Sequence, residues 1–217
     1  MGLGREEAIA GLMREYQSFG ALVRSLDEAQ WTTPSRCAGW QVGDVARHVV
    51  GTATDVAGGV AGTHTPDEEV QARKGQSATQ IADELDQALT VLQGLGALID
   101  DAAWNGPSPV PDMTMRQGIL TLLYDTYVHG DDIRTALGIP SPAGLGLEAS
   151  VEYVAEQLTD RNWGPATLAL DGVEKLDVGA GGDTVTGDAK AFVLAATGRG
   201  DPSSFGLDEG VNIYADA

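Results

Sequence analysis

The chain has 217 residues, 42% of them hydrophobic and 21% charged, a composition of soluble globular proteins and a length for one large domain or two small ones. Its 13 basic residues against 32 acidic ones give a formal net charge of −19, which repels nucleic-acid phosphates and anionic lipid headgroups and argues against both as partners. Cys37 is the single cysteine, so an intramolecular disulfide is excluded.

The N-terminal stretch MGLGREEAIAGLMREY lacks the basic start and apolar core of a signal peptide, and Glu6 stands where a myristoylation signal needs Ser or Thr. No apolar run approaches transmembrane length. The expectation is a cytoplasmic protein. Ile9, Leu12, Met13, Tyr16, Phe19, Val23 and Leu26 follow the three-and-four spacing of a first amphipathic helix. TTPSRCAG breaks it. A second helix runs from about Gln41 to Val56, with Val42, Val45, Val49, Ala53 and Val56 on its stripe. The Gly/Thr/Pro-rich stretch GGVAGTHTPDEE reads as the connection to a third helix. That helix opens with a capping box at Ser77–Gln80 and carries Ile81, Leu85, Ala88, Leu92, Leu95 and Ile99. A fourth opens with the box Thr114–Gln117 and stops at Gly138, ahead of Pro140.

Four such helices predict a four-helix bundle over residues 1–138. GIPSPAGLG, residues 138–146, reads as a linker to a small α+β domain over 147–217. In that domain Val151, Val154, Ala155 and Leu158 mark a helix, and Asp171-Gly172 marks a hairpin turn within ATLALDGVEKLDV. Residues 183–187 read as a strand, Asp188 as the cap of a helix ended by Gly198, and VNIY at 211–214 as a last strand. No internal repeat is apparent.

The chemistry concentrates in YDTYVHGDDIRTALG, residues 124–138. Asp125 and His129 are four apart, so they share one helix face with Met115, Ile119, Leu122, Ile133 and Leu137. An inward carboxylate and imidazole need a partner. One reading is a buried ion pair; the other is a shared metal ion, which neutralises the acid and occupies the imidazole lone pair. His48, at the edge of the second helix's stripe, is the natural third ligand, because facing helices build metal sites in bundles. His64 reads as a solvated loop residue. Asp132, three residues past His129, is placed to orient that ring. Cys37 is either a nucleophile or a small buried apolar residue, and the flanking Trp31 and Trp40 read as packing at the helix entrance.

The pairing of W-x2-PSRCAGW-x-VGDVARHV with YDTYVHGDDIRTALG resembles the mycothiol-dependent maleylpyruvate isomerase family, one of the DinB-like metal-binding bundles. The resemblance implies a mainly helical fold: a DinB-like bundle followed by a small sterol-carrier-like domain. It implies His48, Asp125 and His129 as metal ligands, with Asp125 standing where that family's pattern has Glu. It also implies Arg199, in the tail segment AFVLAATGRGD, as a residue of the activity.

The implied cofactors are a divalent metal, zinc by its ligand chemistry, and mycothiol; the implied partners are that low-molecular-weight thiol and a small-molecule substrate. Three protein ligands leave an open position at which a thiol's pKa falls from about 8.5. The expected function is a metal-dependent, mycothiol-type thiol transferase or isomerase acting on a small electrophile. A metal-activated hydrolase and a non-catalytic metal- and ligand-binding protein are the alternatives.

Overall fold

A computed structural model describes residues 2–215. These divide into two compact units, Gly4–Pro142 and the chain from Ala143 onward, the latter joined by Leu3.

The first unit holds seven helices: α1 (Arg5–Arg24), α2 (Glu28–Trp31), α3 (Val42–Ala57), α4 (Pro66–Ala72), α5 (Ala78–Gly96), α6 (Asp101–Asn105) and α7 (Met115–Ala136). The four long ones form a ring in the order α1–α5–α3–α7. Their apolar stripes meet inside it: Leu12, Tyr16, Phe19 and Val23 from α1, Val42, Val45, Val49 and Ala53 from α3, Ile81, Leu85 and Leu92 from α5, Leu120 and Leu123 from α7. Capping boxes at Ser77 and Thr114 open α5 and α7 as the sequence indicates.

Several features of this unit differ from the sequence reading. The stretch GGVAGTHTPDEE is not all connection: Thr65 and Glu68 form a capping box that starts α4. The face of α7 carrying Leu122, Asp125 and His129 is half-buried, whereas Leu120, Leu123, Tyr124 and Tyr127 fill the core, so the two polar residues lie at the rim of the buried surface. A repeat also exists. Asp27 and Asp100 cap short helices that end near Trp31 and Trp104. A turn follows each, closed by a bridge from Pro34 to Gln41 and from Pro107 to Thr114, into the long helix beyond. Ser35 N–H donates to Trp40 O at 3.0 Å and Ser108 N–H to Met113 O at 2.8 Å. The left-handed position is Gly39 (φ 80°) in one turn and Asp112 (φ 62°) in the other. Each pair is 73 positions apart, and so are the first residues of α1 and α5. Identity is densest at these caps and turns; at the same offset α1 and α5 share only Leu12/Leu85 and Leu22/Leu95, and α3 and α7 share none, which hides the repeat from a search for similar stripes.

The second unit contains α8 (Leu145–Asp160), β1 (Ala166–Asp171), β2 (Leu176–Val178), β3 (Asp183–Asp188) and α9 (Ala189–Ala196). The sheet order is β2-β1-β3, with β2 antiparallel to β1 through the Gly172 turn (φ 81°) and β3 parallel to it. Asp188 caps α9 by accepting from Ala191 N–H. Residues 211–214 are not a strand. Asp208 caps a short 3-10 turn there, and Ile213 N–H donates to Ala196 O at the end of α9. Val211 and Ile213 are buried alternately, so the period-two pattern is real but marks packing rather than pairing. Among the described residues no helix is long and apolar enough to cross a membrane.

Candidate metal centre

α3 presents His48 and α7 presents Asp125 and His129, from adjacent positions in the ring. His48 Nε2 lies 3.6 Å from Asp125 Oδ1, and His129 Nε2 lies 3.4 Å from the same oxygen. The two rings meet edge to face, with centroids 5.0 Å apart and planes at 89°. One ligand atom from each of the three residues lies within 4.8 Å of the other two. Donors bound tetrahedrally to a zinc-like ion at about 2.0–2.1 Å stand about 3.3–3.4 Å from one another. The spacing and donor chemistry therefore fit a divalent ion.

What makes the fit specific is the far side of each ring. His48 Nδ1 lies 2.5 Å from Glu69 Oε2, and His129 Nδ1 lies 2.8 Å from Asp132 Oδ2. A carboxylate accepting Nδ1–H leaves the Nε2 lone pair free to ligate, and here both lone pairs turn toward Asp125. Glu69 is buried and takes a further hydrogen bond from Thr52 Oγ1 at 3.2 Å. Its helix, α4, approaches closely because residue 51 is glycine: a Cβ there would sit 2.6 Å from Glu69 Cβ. Glu69 is absent from the sequence-derived site. The Thr65–Glu68 capping box was its one local signal, since it announces a helix where a loop was expected.

With no ion bound, burial disfavours a charge on His48, but the hydrogen bonds and charges of Asp125 and Glu69 outweigh it and raise the pKa to about 10. Two anions around one imidazole hold a proton where a metal ion would otherwise supply the positive charge.

The turn before α3 supplies the surroundings. Trp40 packs beside His48 with ring centroids 5.4 Å apart. Cys37 is half-buried; its Sγ donates to Asp132 Oδ2 at 3.1 Å and lies 3.9 Å from His129 Nδ1. Cys37, His129 and Asp132 form a second compact group of ligand atoms, but the Arg36 guanidinium already sits on Asp132 and provides the cation there. His64 is exposed and pairs with Asp55 at 2.7 Å, apart from the site. Arg199 belongs to the second unit, just past α9. Its backbone N–H donates to Leu194 O at 2.7 Å and its guanidinium reaches Thr197 O at 3.4 Å.

Residues 12–134, more than half of the chain, match the family described as the mycothiol maleylpyruvate isomerase N-terminal domain. Two solved structures share the fold over nearly the full length: the mycothiol-dependent maleylpyruvate isomerase and a histidine-to-alanine variant of it. Each has a TM-score of 0.67 and 17% identity, covering 95% of this chain and 96% of the other. No curated protein matches in sequence. The bundle with its paired histidines is thus a member of a known group, and the chain belongs to the mycothiol maleylpyruvate isomerase family.

Proposed function

We propose that this protein is a metal-dependent enzyme of the mycothiol type, an isomerase or S-transferase acting on a small electrophilic substrate in the cytoplasm. His48, Asp125 and His129 are the proposed ligands, and zinc the proposed ion, since two imidazoles and a carboxylate match its preference. The observation that carries the reading is the pair of carboxylates behind the rings: Glu69 and Asp132 each engage an Nδ1, so both Nε2 atoms converge on Asp125 Oδ1.

Each residue has a defined part. Glu69 and Asp132 fix ring orientation and tautomer and raise the basicity of the ligating nitrogens. Asp125 brings the negative charge that offsets a divalent cation. Trp40 packs beside the His48 ring. When bound, an ion with an open coordination position lowers the pKa of a thiol cofactor and supplies a thiolate nucleophile at neutral pH. Arg199, carried over from the family resemblance, is proposed as a further residue of the activity.

The test is turnover of maleylpyruvate by purified protein with and without mycothiol. The expected result is mycothiol-dependent isomerisation, lost on chelation and restored by zinc, and reduced in Arg199→Gln. Metal-dependent ester or amide hydrolysis that ignores mycothiol would instead establish the hydrolase alternative.

A further inference from the structure

The second carboxylate behind the site, Asp132, does not stand alone. Asp131 and Asp132 are adjacent on α7, 1% and 0% exposed, and two neighbouring buried carboxylates are costly unless paired. Arg36, from the turn before α3, answers both. Its Nε donates to Asp132 Oδ1 and its Nη2 to Asp131 Oδ2. Ser141 Oγ donates to the remaining Asp131 oxygen. With Oδ1 occupied by the guanidinium, Asp132 turns Oδ2 to His129 Nδ1 at 2.8 Å and to Cys37 Sγ at 3.1 Å.

The duplicated half of the bundle serves as an internal comparison. Its turn has the same length and the same closing bonds, including Val42 N–H to Thr33 O and Met115 N–H to Gly106 O, each at 2.9 Å. Yet the positions matching Arg36 and Cys37 are Pro109 and Val110, and those matching Asp131 and Asp132 are Gly58 and Gly59. The turn therefore closes without a single charge of this network. Arg36 is not what folds it.

We propose that Arg36 is a positioning residue for the metal centre: its two-point grip on Asp131 and Asp132 sets the carboxylate that orients His129. The planar fork of an arginine spans two carboxylates at once, which a lysine ammonium does not. Removing it frees Asp132 to rotate, so His129 loses its fixed ring angle and tautomer. Cys37 adds a second, weaker donor to the same oxygen. The assignment rests on the proposed metal site for its functional meaning, but its geometry is a property of the metal-free chain.

Two readouts on Arg36→Lys and Arg36→Met test it. Imidazole nitrogen NMR of metal-free protein with isotope-labelled histidine is expected to show His129 protonated at Nδ1 in the parent. In both variants its signals shift toward the other tautomer or broaden. Competition with a chromogenic chelator is expected to show zinc affinity lowered about tenfold or more, the effect usual for losing an outer partner of a ligand. Arg36→Lys keeps the positive charge, so a shift there reports lost geometry rather than unpaired buried acids. His129 signals unchanged in both variants overturn the assignment, whatever the zinc affinity. A parent that binds no zinc but whose His129 signals depend on Arg36 overturns the metal centre of the proposed function and leaves only the Arg36 control of His129 standing.

Discussion

Asp125 Oδ1 sits between two imidazole nitrogens, and the consequences reach the protonation of the metal-free protein. His48 has its pKa raised from 6.5 to about 10, with burial opposing and Asp125 and Glu69 favouring the proton. A folded-state pKa above the unfolded one contributes stability that is complete below about pH 6.5 and disappears as pH rises through 10. Thermal melts of chelator-treated protein are therefore expected to fall across pH 6.5–10, with a flatter profile in His48→Gln. Equal slopes in the two proteins would show that His48 holds no such proton. The ligand candidates themselves are legible in the sequence because few histidines exist and Asp125 and His129 share a helix face. Glu69 and Arg36 are not: Glu69 reaches His48 from a short helix that the sequence reading takes as a connection, and Arg36 acts on Asp132, 96 positions along the chain, with no spacing rule to link them.

The site depends on how closely α4 lies against α3. Gly51 makes that approach possible, since a Cβ there would stand 2.6 Å from Glu69 Cβ and 2.9 Å from its Cγ. Gly51→Ala is expected to push α4 outward, costing about 1–3 kcal/mol by overpacking and lowering zinc affinity with it. Gly94→Ala, in α5 with nothing within 4 Å of its Cβ, is the matched control and is expected to be neutral or stabilising by about 1 kcal/mol. Denaturant melts and chelator competition on both variants read the difference, and equal behaviour would contradict the close-approach argument. The long helices were readable from their stripes and caps. Short α2, α4 and α6 were not, since 4, 7 and 5 residues are too few to show a period and only Asp27, Thr65 and Asp100 announce them. VNIY misled for the opposite reason: two alternating buried residues look like a strand until the backbone partner is known.

At the scale of the whole chain, a net charge of −19 repels itself in the folded state. At 0.1 M salt the screening length is about 10 Å, so moving from very low salt to that concentration is expected to raise Tm by several degrees, with sodium chloride and potassium chloride equivalent. A Tm indifferent to ionic strength would mean the acidic residues are already neutralised in pairs. The central claim, however, is that three residues from two helices hold one ion. Elemental analysis of purified parent and variant proteins tests it most directly. About one divalent ion per chain is expected in the parent and in His64→Ala, retained in Asp125→Glu, and lost in His48→Ala, Asp125→Ala and His129→Ala. Metal content that is the same in all of these proteins would contradict the assignment and return Asp125 and His129 to a half-buried ion pair.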